Sequence, residues 1–276
     1  VKSIPKNSER ERFFMELLDY RQVNLTDGYL ASKEEMNRKI TINAVYDRFY
    51  DSGRITAFEF NSKEVHYFWD SDVAKWMEGA AYILAKHPDE ALQAKVEKLI
   101  DDIAAHQGTD IYFTVREPDK RFTNRDCHEL YCAGHLFEAA VAYAEATGRD
   151  RFLKCMEKYA DYIYKVFVEE HSAAFVTPGH EEIELALIKM YRYTKKKKYL
   201  DLAAFFINER GKRAEDERGD YNQSHKPVRE QTEAFGHSVR AVYLYTAMAD
   251  LALELQDEAL QKACKALYED ITKRKM

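Results

Sequence analysis

Apolar residues return along this chain with the 3.6-residue period of an α-helix, and one apolar string returns four times. It runs roughly i, i+4, i+7, i+8 and i+11. The first copy is Leu92, Val96, Leu99, Ile100 and Ile103; the second is Phe152, Met156, Tyr159, Ala160 and Ile163. The third is Tyr199, Ala203, Phe206 and Ile207, ending at Arg210 where the others place Ile; the fourth is Leu260, Cys264, Leu267, Tyr268 and Ile271. The lead residues are spaced by 60, 47 and 61 positions. Before each string, across a short polar turn, lies a stretch that is apolar nearly all round: 72–87, 128–147, 180–194 and 237–256. A helix apolar on every side is built to be buried, whereas a single stripe opposite a charged face marks a surface helix. Each pair therefore predicts an αα-hairpin with a buried inner helix and an amphipathic outer one. Repeats of that unit build either an open solenoid or a closed (α/α) toroid, with the inner helices around one axis.

Two stretches break the array. Residues 109–126 hold Ile111-Tyr112-Phe113-Thr114-Val115, a short β-type run, followed by a polar loop. Residues 212–229 are charged and loop-like, with Gly219 and Pro227. Long insertions at matching ends of hairpins suit a functional rim better than a plain scaffold. The first sixty residues predict a helix at 8–19, an extended piece at Val23-Asn24-Leu25 and a helix at 33–50. No linker composition interrupts the chain, so residues 1–276 are expected to form a single domain.

Composition narrows the classes. With 46% hydrophobic residues among 276, a disordered chain is excluded, and ten Gly and five Pro disfavour a turn-rich β-sandwich. The 42 Lys+Arg against 48 Asp+Glu give a net charge of −6, which argues against nucleic acid as the main partner. The densest basic run, Lys195-Lys196-Lys197-Lys198, reads as a solvated turn between two helices. No stretch reaches the roughly 18–20 uninterrupted apolar residues of a membrane span. The first residues carry no apolar core of a signal peptide, so a soluble protein, cytoplasmic or periplasmic, is expected. Cys127, Cys132, Cys155 and Cys264 are too few for a disulfide framework and read as thiols.

Polar residues recur at one place in the repeat. His128 lies 24 residues before Phe152, His180 lies 19 before Tyr199, and His237 lies 23 before Leu260; Asp70 and Asp72 lie 22 and 20 before Leu92. Equivalent hairpins bring these groups to the same end of the structure. Three histidines with nearby carboxylates can bind a metal through imidazole, perform acid–base chemistry between paired carboxylates, or hydrogen-bond a polyhydroxylated ligand. Asp70, Asp72 and Glu181 can also serve as helix caps that complement the positive end of the helix dipole. Capping accounts poorly for the histidines, because a cation is disfavoured there. No H-x-x-x-H spacing supports a three-histidine metal site, and Cys127 and Cys132, five apart, share a helix face only awkwardly. His135, seven residues after His128 on nearly the same face, reads as a satisfied interior histidine. His225, with Lys226-Pro227-Val228-Arg229, belongs to the second insertion, as a ligand-closing element or a surface loop. His66, His87, His106 and His171 fall outside these contexts and receive no role.

At these residues the chain resembles glycoside hydrolase family 127, the β-L-arabinofuranosidase-like enzymes. The resemblance is carried by Asp70-Ser71-Asp72-Val73-Ala74-Lys75-Trp76, His128-Glu129-Leu130-Tyr131-Cys132-Ala133-Gly134-His135 and Gly179-His180-Glu181-Glu182-Ile183-Glu184-Leu185-Ala186. His225-Lys226-Pro227-Val228-Arg229-Glu230-Gln231 and Gly236-His237-Ser238-Val239-Arg240-Ala241 extend it, in order, from about Val23 to the C-terminus. It implies an all-α (α/α)6 toroid with the active site at one mouth, short β insertions, and His128, His180 and His237 on the hydroxyls of a terminal sugar. Asp70 and Asp72 complete the expected substrate-binding set. The implied reaction is release of terminal β-linked L-arabinofuranose from plant-type glycans with retention, by a cysteine nucleophile held on zinc by a glutamate and other cysteines, with a further glutamate as acid/base.

The chain departs from the family's pattern in one respect. Those catalytic groups would follow Met276, in a Glu-Thr-Cys motif and a later Cys-Cys pair that do not occur in these residues. Four hairpins are visible where six close the ring, so the chain is expected to be the N-terminal two-thirds of the catalytic domain. None of its cysteines matches the nucleophile, and none of its residues is assigned to zinc. An incomplete toroid is expected to expose apolar faces on its first and fourth hairpins and so to dimerise or self-associate. A sugar-binding toroid without chemistry, or another (α/α)6 enzyme such as an unsaturated glucuronyl hydrolase or a sugar epimerase, are the rival readings.

Overall fold

A computed structural model describes residues 18–60, 65–107, 120–213 and 219–276. Among the described residues every regular element is helical. The β-type run at 111–115 lies outside them, as does almost all of the helix expected at 8–19; Leu18 and Asp19 are not helical. The helix expected at 33–50 starts earlier and is made of α1 (Gly28–Met36) and α2 (Ile42–Asp51), joined without a break by the π-turn Asn37–Thr41. A single turn, α3 (Arg54–Ala57), follows.

The four hairpins are present. Their inner helices are α4 (Trp69–Lys86), α6 (Glu129–Thr147), α8 (Ile183–Thr194) and α10 (Ser238–Leu255). Their outer helices are α5 (Glu90–His106), α7 (Arg151–Tyr164), α9 (Lys197–Glu209) and α11 (Glu258–Asp270). The turns between inner and outer helices follow stop-and-start chemistry. Gly148, Lys195 and Gln256 end α6, α8 and α10 in the left-handed region, at φ 71°, 59° and 54°. Asp89 and Asp257 start α5 and α11 by accepting the amides of Leu92 and Leu260, each at 2.9 Å. The lysine run is not turn throughout. Lys195 and Lys196 form the turn, while Lys197 and Lys198 open α9 and pair with Asp201 and Asp161.

Each inner helix packs on the next, α4 on α6, α6 on α8 and α8 on α10, and α5, α7 and α9 pack in sequence behind them. Trp76 of α4 ties in the N-terminal helices, its indole N–H donating to the Ile42 carbonyl at 2.8 Å. The core lies between the two layers: Leu99, Ile100, Phe137, Phe152, Tyr159, Ile188, Phe206 and Leu244 are sealed from water. The fourth string departs from the other three. Tyr268 is 68% exposed where its counterparts Ile100, Ala160 and Ile207 are fully buried. The inner helices thus describe an arc of a toroid, with α10 at one end.

Candidate functional site

The heads of the inner helices carry the three expected histidines, each held differently. His128 closes the 3₁₀ turn Arg125–Cys127 and sits in the left-handed region, at φ 56° and ψ 18°. Its Nδ1 lies 2.7 Å from the Asp126 carbonyl. His180 precedes α8, with Nδ1 2.8 Å from the Glu181 carbonyl. His237 is the residue before α10, and its Nδ1 faces the Arg240 amide at 3.5 Å. The ring centroids of His128 and His180 are 5.6 Å apart, and those of His180 and His237 6.1 Å apart. Aromatic rings fill in the arc. Phe68 and Tyr67 approach His128 at 5.5 and 5.8 Å, Tyr131 lies 4.3 Å from His180, and Tyr243 lies 6.1 Å from it.

The hydrogen bonds fix the tautomers. A carbonyl can only accept, so Nδ1 of His128 and of His180 carries the proton and Nε2 is left as an acceptor. The Arg240 amide can only donate, so Nδ1 of His237 is the acceptor and its Nε2 carries the proton. Burial holds the His128 imidazole below its ordinary pKa, and burial pushes His180 down to about 3. The Arg240 guanidinium adds to both shifts. Two neutral acceptors beside one donor suit sugar hydroxyls, which both donate and accept.

Buried ionic contacts hold the rim from behind. The third string's departure, Arg210, is fully buried at the end of α9. It pairs with Glu181 at 2.8 Å and Glu184 at 3.3 Å, and donates to the carbonyls of Asn222 and Pro178, each at 2.9 Å. It thereby fastens the His180 segment to the second insertion. Arg240 donates to the Gly179 carbonyl and lies 4.6 Å from the Tyr221 ring. Gly179 is required because a Cβ there would collide with the Arg125 carbonyl.

The carboxylates are placed differently from the histidines. Both lie in the first turn of α4. Asp72 is half-buried and accepts from Arg54 Nε at 2.9 Å, while Asp70 is buried beneath the surface. His225, in the second insertion, packs against Phe235 just beyond it, at 5.1 Å between centroids. His135 is interior as expected but not satisfied, since neither ring nitrogen has a hydrogen-bond partner. No cysteine is in a disulfide. Burial raises the thiol pKa of Cys132 and Cys155, and that of Cys264 to about 11, which keeps them protonated and poor metal ligands. A thiolate zinc site does not fit these residues: among the described residues, the side chains close enough to share an ion are His135, Glu138 and Glu182. Sequence reasoning missed Tyr131, Tyr243, Arg240, Tyr67 and Phe68. Tyr131 follows His128 by three residues, so it falls on the same helix face. Arg240 stands within a motif that was already singled out.

An arc of αα-hairpins with three histidines gathered at the heads of its inner helices defines an all-α toroid protein. The chain belongs to the β-L-arabinofuranosidase, glycoside hydrolase family 127 catalytic-domain family, whose profile it matches over residues 22–276. It is 38% identical to a non-reducing end β-L-arabinofuranosidase of Bifidobacterium longum subsp. longum, over 76% of this chain and 36% of that protein. It superposes with a TM-score of 0.85 on a β-L-arabinofuranosidase of the same family from Geobacillus stearothermophilus T6, at 41% identity, covering 91% of this chain and 45% of the other. A second solved β-arabinofuranosidase of the family gives 0.83 at 34% identity, covering 91% and 43%. The chain therefore spans less than half the length of each of these relatives. Among the described residues no helix is long and apolar enough to cross a membrane.

Proposed function

We propose that this chain forms the hydroxyl-binding rim of a glycoside hydrolase, and that the whole protein releases terminal β-linked L-arabinofuranose from plant-type glycans with retention. The observation that carries this reading is the set of three imidazoles, 5.6 and 6.1 Å apart in sequence around one rim, with fixed and complementary tautomers. His128, His180 and His237 bind sugar hydroxyls. Asp72, fixed by Arg54, is the first hairpin's contribution to the rim, and Asp70 backs it from within. The flanking Tyr131 and Tyr243 supply apolar faces for a sugar ring. A furanoside leaves through an oxocarbenium-like transition state, and fixed hydroxyl contacts hold the ring in line for it.

The test is release of nitrophenol from nitrophenyl β-L-arabinofuranoside by the whole protein, with His128→Ala and His180→Ala. Each variant is expected to lose kcat/KM by about ten- to a hundredfold, the worth of one or two hydrogen bonds in a desolvated site. Unchanged kcat/KM in both variants overturns the reading. Saturable binding of the glycoside without turnover supports the rim but removes the activity, leaving a sugar-binding toroid.

A further inference from the structure

Behind the rim, between α6 and α8, lies a second polar cluster whose His135 is two turns along α6 from His128 and which the proposed hydroxyl binding does not use. His135 and Glu138 stand one turn apart on α6, and Glu182 immediately precedes α8. We propose that His135, Glu138 and Glu182 form a binding site for one divalent metal ion of the zinc class, separate from the histidine rim.

The spacing suits such an ion. Nδ1 of His135 lies 3.4 Å from Glu182 Oε1 and 3.8 Å from Glu138 Oε2, and one ligand atom from each of the three residues lies within 4.8 Å of the others. Zinc–ligand bonds of about 2.0–2.1 Å in a tetrahedron set neighbouring ligand atoms roughly 3.3 Å apart. The two separations from His135 Nδ1 exceed that spacing by about half an ångström or less, and the two carboxylates would turn toward the common centre. One imidazole and two carboxylates are a donor set for borderline divalent ions, and three protein ligands leave a fourth position for water.

The cluster also lacks something where it stands. His135 is 3% exposed and Glu182 is sealed from water, yet neither ring nitrogen makes a well-formed hydrogen bond, and the group facing the Glu182 carboxyl on α6, besides that ring, is another carboxyl, Glu138. Buried polar atoms of this kind are costly and seldom left so. Lys189 pairs with Glu138 and lies 3.8 Å from Glu78, so its charge sits on that side of the cluster and acts on Glu182 only through space. A proton shared between the two carboxyls would join oxygen to oxygen and leave both nitrogens of His135 as they are. A metal ion draws on all three residues at once. The backbone makes room for the arrangement at Gly134, where a Cβ would collide with Glu182 Oε2.

The experiment strips the purified chain with a chelator, then titrates it with zinc and, separately, with cobalt(II). Bound metal is measured by elemental analysis and cobalt by its visible absorption, which is strong only in a tetrahedral site. One equivalent per chain is expected for the native sequence and for His128→Ala. His135→Ala and Glu182→Gln are each expected to weaken binding by about a hundredfold or more, and zinc to raise the Tm of the native chain but not of Glu182→Gln. Glu182→Gln nearly conserves shape, so it decides the matter if His135→Ala does not fold. Absence of stoichiometric binding overturns the proposal and leaves the shared proton. Equal binding by Glu182→Gln overturns it as well, by placing the metal elsewhere.

Discussion

Helices α6 and α10 look alike in sequence, since both are apolar nearly all round and both are headed by a histidine. Their surroundings differ. On α6 every residue from Cys132 to Ala144 is buried, because α4 and α8 flank it and α7 lies behind. On α10 one stripe stays open to water: Val239, Val242, Thr246, Ala249 and Leu253, with Val242 56% and Leu253 66% exposed. Steps of three and four residues put those five on one helix face. Helix α10 has α8 beside it and α9 and α11 behind, and the exposed Tyr268 shows the same openness in the outer layer. An all-round apolar pattern thus states how many neighbours a helix is made for, and its burial states how many it has in this arc.

The comparison breaks most sharply under truncation of side chains. Phe137 of α6 is fully buried against Tyr159, and Phe137→Ala is expected to cost about 3–5 kcal/mol in denaturant unfolding. Val242→Ser on α10 is expected to stay within about 0.5 kcal/mol. A cost above about 2 kcal/mol at Val242 would mean that the stripe is covered in solution, as the proposed self-association of this face requires. Sedimentation of the native chain over a range of concentrations would then show a larger species that Val242→Lys with Leu253→Lys removes.

A second difference lies at the helix heads and is read by pH. Glu129, the first residue of α6, is buried, and burial pushes its carboxyl up to about 7, although the Phe122 amide donates to it at 2.9 Å. The corresponding residue of α10, Ser238, is exposed. A carboxyl that ionises near 4.5 when unfolded and near 7 when folded keeps its proton longer in the folded chain. Its effect on stability is therefore flat below 4.5, falls between 4.5 and 7, and is constant above. His128 and His180, held below their ordinary pKa, act with the opposite sign and lose stability as pH drops through about 6.5. The difference between native chain and Glu129→Gln isolates the carboxyl. The variant is expected to gain about 2–3 kcal/mol on the native chain between pH 4.5 and 7.5, read from unfolding curves. No change in that difference would place the carboxyl in water and make the two heads equivalent.

Periodicity made the hairpins legible, because an apolar string at helical spacing reports which side of a helix meets the core. Counting from equivalent positions brought His128, His180 and His237 to one end. What it could not report is azimuth around the arc or the number of neighbours, so α10 read like α6, and Tyr131 and Tyr243 were not seen to line the same rim. Arg210 illustrates a further limit. In sequence it is a flaw in the third apolar string, and only the placement of Glu181, Glu184 and the Asn222 carbonyl shows why a buried cation belongs there. His135 was legible as interior from its spacing to His128, but its missing partners depend on how α8 meets α6.

The smallest expected effect separates the two histidine caps. His128 sits in the left-handed region, which an L-residue enters at a cost of about 1–2 kcal/mol and glycine at almost none. It makes no capping bond with its side chain. His237 has extended backbone, at φ −71° and ψ 120°, and its ring accepts the Arg240 amide, as an N-cap side chain does. At 128, then, Gly is expected to exceed Ala in stability by about 1 kcal/mol, and Ser to equal Ala because a left-handed residue cannot aim its hydroxyl at the helix amides. At 237, Ser is expected to exceed Ala by about 0.5–1 kcal/mol, since its hydroxyl takes over the imidazole's acceptor role. All of these variants lack the imidazole, so differences in sugar binding cannot produce the ordering, and thermal unfolding without ligand measures it directly. The same ordering at both positions would mean that His128 and His237 are held by one kind of turn, and that the left-handed bend at α6 does not survive in solution.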